Sequence, residues 1–178
     1  MMRELREPSR AYLLAAMLSG DDKLFDEAIR ELVPFFGHIK KESENIAWQH
    51  SAYYEKELGR DLFRKFVFFS RPIDPIELAS AKHVSMDVER KLGKRDEGKL
   101  QRRINIDPGY MTRAKLVLAS SKDFSHRIYI GNGVYAEVTL YFKDGCFRPF
   151  FYTYRDYRDD SAIKLFNAVR DDYFSQVE

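Results

Sequence analysis

Apolar and polar positions recur along this chain with two periods, and the switches between them mark out its elements. Ala11 to Leu18 is an unbroken apolar run closed by Ser19-Gly20, the pattern of a strand buried on both faces. Asp21 or Asp22 can cap the following helix, in which Leu24, Phe25, Ala28, Ile29, Leu32 and Val33 fall at helical spacing until Pro34-Phe35-Phe36-Gly37 stops it. Ile39 to Trp48 reads as a largely polar second strand near an edge, Gln49 to Gly59 as a loop, and Leu62 to Ser70 as an aromatic-rich third strand. Asp74 caps a second helix with Pro75 in its first turn, where the missing N–H costs nothing, and Leu78, Ala79, Lys82, Met86 and Glu89 carry it to about Leu92. After a polar loop from Lys91 to Lys99, Arg102 to Asp107 is a fourth strand. Ile104 and Ile106 face one way, Arg103, Asn105 and Asp107 the other, and a Pro108-Gly109 turn ends the strand with Asp107 at its mouth.

The final third alternates as a meander. His126 to Ile130 turns at Gly131-Asn132-Gly133 into Val134 to Phe142, which turns at Asp144-Gly145 into Cys146 to Tyr152. A three-residue first turn pairs Ile128 with Ala136, Ile130 with Val134, Tyr129 with Tyr135 and Arg127 with Glu137. A two-residue second turn pairs Phe142 with Phe147 and Tyr141 with Arg148, giving one face with Arg127, Tyr129, Tyr135, Glu137, Thr139, Tyr141 and Arg148. Ser161 caps a last helix from Ala162 to about Phe174, while Met111 to Ala119 reads either as a helix capped by Thr112 or as a strand. The order predicts an α+β fold, a single domain with a ferredoxin-like βαββαβ core over residues 11–107 and a C-terminal antiparallel β-meander plus terminal helix over 108–178.

Composition narrows the function classes. A net charge of +2 over 178 residues gives no global field, so nucleic acid is not favoured as a partner unless a local patch supplies the charge. The basic cluster from Arg90 to Arg103 is such a patch, but its bland reading is a solvated loop. A single cysteine, Cys146, rules out an internal disulfide and a cysteine-based metal knuckle. The charged start and the short apolar run Ala11 to Leu18 resemble neither a signal peptide nor a membrane span, so the expectation is a cytoplasmic protein with no membrane partner.

The chain resembles a family of uncharacterised bacterial and archaeal proteins, some of which carry an automatic GTP-binding label. The resemblance rests on Tyr53-Tyr54-Glu55 with Glu57-Leu58-Gly59, Ile73-Asp74-Pro75 with Lys82, and above all Asn105-Ile106-Asp107-Pro108-Gly109-Tyr110. Lys115 to Ala119, His126-Arg127-Ile128-Tyr129, Glu137-Val138-Thr139-Leu140 and Thr153-Tyr154 with Asp156-Tyr157-Arg158 extend it. Tyr152 stands where the resemblance implies tryptophan and Arg155 where it implies proline, so the ring at 152 is expected to pack. The resemblance implies no established activity. The GTP label finds no support in the residues: none of the nine glycines falls in a P-loop pattern, and Gly131-Asn132-Gly133 precedes a strand where a phosphate loop would precede a helix.

The candidate chemistry gathers around Asp107. Asp107, Glu137 and His126 are the candidate acid–base or metal-ligating groups, with Mg²⁺ the ion that converging carboxylates would hold. Arg103, Asn105, Lys115, Arg127 and Arg158 are candidate anion binders, and Tyr110, Tyr154 and Tyr157 with Asp156 complete a site able to stack a ring and hold its phosphate. The bland readings are turn-closing roles for Asn105 and Asp107, a packed His126, a cross-strand Arg127–Glu137 pair and a Tyr-rich loop pinning the last helix. Whether the protein is an enzyme is left open. The expected function is binding of a small anionic, nucleotide-like ligand, with or without a divalent metal; the alternative is a non-catalytic regulatory module, a homodimer through the tyrosine-rich face.

Overall fold

A computed structural model describes residues 4–49, 54–96 and 98–175. The expected loop positions His50 and Tyr53 lie outside the described residues. The strands are β1 (Ala11–Ser19), β2 (Ile39–Glu42), β3 (Ile46–Ala47), β4 (Phe63–Ile73), β5 (Lys94–Asp96), β6 (Lys99–Gln101), β7 (Ile104–Met111), β8 (Lys115–Ser120), β9 (Ile128–Gly131), β10 (Val134–Lys143) and β11 (Cys146–Pro149). The helices are α1 (Lys23–Phe36), α2 (Glu55–Leu58), α3 (Leu78–Leu92), α4 (Arg155–Arg158) and α5 (Asp160–Phe174). The fold is α+β: nine strands form one antiparallel sheet in the order β11-β10-β8-β7-β1-β4-β2, with β3 beside β4 and β9 beside β10, while β5 and β6 make a separate hairpin.

The apolar run of β1 is explained by its position at the centre, between β4 and β7, with layers on both faces. Leu13, Ala15 and Met17 pack with α1 residues Leu24, Phe25, Ala28 and Leu32 and with Ala81 and Val88 of α3. Leu14 and Ala16 face the other way, joining Phe66, Phe68 and the α5 side chains Phe166, Val169 and Tyr173. The cap expected at Asp74 sits on a 3₁₀ turn, Pro75–Glu77, that leads into α3: Asp74 Oδ1 accepts from the Ile76 amide at 2.9 Å and Glu77 Oε1 accepts from the Asp74 amide at 3.0 Å, a reciprocal cap. Among the described residues no helix is long and apolar enough to cross a membrane.

Several expected elements are redrawn. The second strand is broken into β2 and β3, the Lys91–Lys99 loop contains the β5–β6 hairpin, and residues 155–158 form one helical turn. Helix α1 runs through Pro34 to Phe36, and α5 begins at Asp160, before Ser161. The undecided segment after Met111 is the strand β8, because Thr112 Oγ1 accepts from the Ala114 and Lys115 amides and closes a tight turn between β7 and β8. In the meander, Tyr129 pairs with Tyr135, Ile128 with Ala136 and Phe142 with Phe147, but Gly131 rather than Ile130 pairs with Val134, leaving a bulge. A second bulge between Val138 and Leu140 reverses the alternation of β10. Val134, Ala136 and Val138 therefore pack on the α3 side while Leu140 and Phe142 pack beneath α5, and the single face expected from Arg127 to Arg148 is divided.

The most consequential correction concerns Pro108-Gly109, which lies inside β7 rather than ending it: Asp107 pairs with Ala16, Pro108 with Ala15 and Gly109 with Leu14. Backbone groups alternate sides along an antiparallel strand, so Ile106, Pro108 and Tyr110 turn theirs away from β1, towards β8. Proline has no N–H to give there, and the β7–β8 ladder is confined to Gly109–Met111 against Leu116–Leu118. Pro108 thus ends a ladder while its strand continues, and beyond it β7 and β8 part. At the last rung a Cβ on Gly109 would meet the Val117 carbonyl oxygen well inside contact distance and Leu118 Cδ2 at 2.7 Å. Gly109→Ala is therefore expected to lower stability by roughly 1–3 kcal/mol, read as a reduced urea midpoint; an unchanged midpoint would show that β8 does not approach this closely.

Candidate functional site

Where β7 and β8 separate, the free edge of β7 is satisfied by α3. Glu89 Oε1 accepts from the Ile106 amide at 2.6 Å, and Lys82 Nζ donates to the Ile106 carbonyl at 3.4 Å and to Asp107 Oδ1 at 3.2 Å. Lys82 and Glu89 stand seven residues apart and so share a helix face. Asn105 Nδ2 donates to Asp107 Oδ2 at 2.6 Å, and Arg102 Nη1 donates to Asn105 Oδ1 at 3.0 Å and Glu89 Oε2 at 3.3 Å. The other edge of Arg102 clamps Glu57 with two 2.7 Å bonds, fixing α2 against the sheet.

This gap opens into a cavity of about 720 Å³ on the α5 face of the sheet. Its walls are Asn105 and Asp107 of β7, Leu118 to Ser120 of β8, Glu137 of β10, Arg64 of β4, Trp48 and Tyr54, and the segment Tyr152 to Arg158. Across from Asp107, Glu137 is buried, with Arg127 Nε donating to its Oε2 at 2.7 Å and His126 Nε2 at 3.0 Å from the same oxygen. Three further Arg127 donors go to Ser120 Oγ at 2.7 Å, the Lys122 carbonyl at 3.0 Å and Tyr154 Oη at 2.9 Å. Arg158 ties the covering segment to itself through the carbonyls of Thr153 and Phe151. Tyr152 stacks on His126 at 4.3 Å and donates to the Val138 carbonyl at 3.0 Å, so the ring at this position packs.

Of the residues singled out by sequence, Asn105, Asp107, Arg127, Glu137, Tyr154, Asp156, Tyr157 and Arg158 are brought to one cavity. His126 sits behind Glu137, outside the lining. Arg103 precedes β7 and pairs with Asp21 at 2.9 Å, Tyr110 packs on the opposite face, and Lys115 is exposed at the far end of β8. Four cations of the Arg90–Arg103 cluster are answered by carboxylates: Arg90 by Asp87, Lys91 by Glu31, Arg102 by Glu57 and Arg103 by Asp21. The sequence reading missed Arg64, Lys82, Arg102, Trp48 and Tyr54 as wall residues. For Arg64 a signal was present: it alternates with Phe66 and Phe68, so a charge stands on the apolar face of a core strand.

Each carboxylate in the wall has a cation: Lys82 for Asp107, Arg127 for Glu137, and Arg64 for Asp156 at 2.8 Å. Among the described residues no group of three or more His, Cys, Asp or Glu side chains is disposed to hold a metal ion. Burial alone would raise the Asp107 carboxyl, but the charges of Lys82 and Arg64 and the bonds from Asn105 and Lys82 outweigh it and hold Asp107 below the usual carboxylate range. Glu89 moves the other way, pushed up by burial against the pull of Lys82, the Ile106 amide and Arg102. Burial pushes the Tyr54 hydroxyl up to about 12, with Asp107 adding to the shift.

A carboxyl held low in the folded state stabilises the fold above its unfolded value and loses that contribution as pH falls through the folded one. Asp107→Asn should therefore be less stable than the wild type at pH 7, and the difference should close below about pH 4. Urea titrations at a series of pH values measure this, and a gap independent of pH would refute the charge-based account.

No curated protein and no solved structure matches the chain significantly. A family described as a domain of unknown function, DUF4416, matches residues 9–173, from just before β1 to the penultimate residue of α5. The chain belongs to this uncharacterised family.

Proposed function

We propose that the cavity between β7, β8 and α4 binds a small anionic ligand of nucleotide-like size, in a reducing, cytoplasmic setting that a single cysteine would suit. The observation that carries this reading is the cavity itself: its volume is in the range of about 300–1,000 Å³ common to small-molecule sites, and seven Lys or Arg side chains line it against three Asp or Glu. Trp48, Tyr54 and Tyr154 add flat apolar surface on which a ring can stack. The strand order β2-β4-β1-β7 with α1 and α3 across one face supports reading that half as a ferredoxin-like core, to which β8 to β11 add a wall for the cavity.

The pairing of each wall carboxylate supports binding over proton transfer. Asp107 is ionised far below neutrality and already accepts from Lys82 and Asn105, which makes it a weak general base. A divalent ion such as Mg²⁺ would on this reading arrive with the ligand's phosphates. A second reading, self-association, draws on β9, where Ile128 is 74% and Tyr129 59% exposed on a short outer strand. A monomer at high micromolar concentration by light scattering would remove it.

Thermal shift against nucleotides, pyrophosphate and sugar phosphates, with and without Mg²⁺, Mn²⁺ or Zn²⁺, tests the ligand reading. A ligand at 100 times its Kd adds about 2.7 kcal/mol of stability. Asp107→Asn removes a negative charge from the wall, so metal-free binding of an anion is expected to hold or tighten. Loss of that binding would instead make the carboxylate a direct ligand contact, and no shift from any compound would reject the reading.

A further inference from the structure

Two donors beneath the cavity surface find no hydrogen-bond partner among the described residues. Arg64 is 5% exposed, and Asp156 Oδ2 lies 2.8 Å from its Nε. Its Nη1 is sealed from solvent and has no hydrogen-bond partner among the described residues. Tyr157 is 2% exposed, and its hydroxyl is likewise sealed and without a partner. The Tyr157 ring is wedged edge-on to Phe66 at 5.2 Å and lies against Phe166 at 5.7 Å, so the hydroxyl cannot swing out to water. Buried polar groups are otherwise satisfied in proteins, and each orphan carries its full desolvation penalty. Both residues line the same cavity.

We infer that Arg64 and Tyr157 form an oxyanion seat beneath the cavity wall, where, once the covering side chains shift by about the width of an oxygen atom, a phosphate or carboxylate oxygen of the ligand accepts from Arg64 Nη1 and Tyr157 Oη. This rests on the ligand-site reading above and deepens it. Both free groups donate: a guanidinium has no acceptor atom, and burial pushes the Tyr157 hydroxyl well above its ordinary pKa so that it keeps its proton. The seat therefore selects an acceptor and rejects an ammonium group. Because Asp156 already answers the charge of Arg64, affinity at this point comes chiefly from directed hydrogen bonds in a dry setting. Two other wall arginines are bonded elsewhere, Arg127 to Glu137, Ser120 and Tyr154, and Arg102 to Glu57, Glu89 and Asn105. Arg64 differs from both in holding a donor that is buried and without a hydrogen-bond partner among the described residues.

The test compares wild type, Tyr157→Phe and Arg64→Lys by melting temperature without ligand and by calorimetric titration with pyrophosphate and with citrate. Tyr157→Phe deletes a hydroxyl that has no partner to lose, so the ligand-free variant is expected to melt no lower than wild type. Its affinity for the bound probe should fall about tenfold, the loss expected for a hydrogen bond to a charged group. Arg64→Lys, which shortens the reach of the cation, should weaken the same probe. Loss confined to pyrophosphate identifies a phosphate seat, and loss confined to citrate a carboxylate seat. A ligand-free Tyr157→Phe that melts lower, or one that binds both probes with wild-type affinity, overturns the seat. If the wild type itself binds neither probe, the seat and the ligand-site reading fall together, whereas binding that is unchanged in Tyr157→Phe removes the seat alone.

Discussion

The rest of the site depends on how the outer edge of β7 is satisfied between Ile104 and Pro108. A buried backbone N–H and C=O cannot be left without partners, and β8 does not run far enough to supply them. Glu89 and Lys82 stand in for the missing strand, one accepting from the Ile106 amide and the other donating to its carbonyl. That replacement lets the sheet open without abandoning its hydrogen bonds, and it leaves Asn105 and Asp107 facing space instead of a neighbouring strand. The same two side chains start a chain of contacts through Arg102 to Glu57, which holds α2 beside the opening. Shape and electrostatics at this point thus have one origin.

The cavity is rich in charge yet economical in unsatisfied charge. Asp107, Glu137 and Asp156 each sit on a cation, an arrangement that resists desolvation because a buried ion without its partner is far more costly than a buried pair. Most of the polar wall is therefore scaffolding. Arg127, which sequence marks as an anion binder, spends its donors joining β8, β10 and the covering segment. A cation count alone overstates how many groups are available to a ligand, and the bonding pattern narrows the choice.

Sequence made the periodic elements legible. The two-sided burial of β1, the cap at Asp74 and the β10–β11 register all follow from local rules, since spacing and turn chemistry are written in adjacent residues. Much of the cavity lining was visible as polar residues on strand faces and in the Thr153–Arg158 segment. Pro108-Gly109 misled because the dipeptide has two readings, a turn or a ladder stop, and only the distant β8 decides between them. The reversal in β10 was hidden for a similar reason: a bulge depends on what packs on each face, with Val138 under one layer and Leu140 under another. Lys82 and Glu89 looked like ordinary members of an amphipathic helix, and their work on a strand edge is a tertiary fact.

The walls of the cavity are drawn from positions as far apart in the sequence as Trp48 and Arg158. Closing such separations is a slow, entropically costly part of folding, since distant segments must meet before their contacts repay the loss of freedom. The segment that completes the enclosure, Tyr152 to Arg158, lies just before the last helix, and α5 packs against the sheet through Phe166 and Val169. Until residues 152–174 dock on the sheet, that face of β1, β4 and β7 lacks its cover. The cavity is thus enclosed by the same C-terminal part of the sequence that covers the second core.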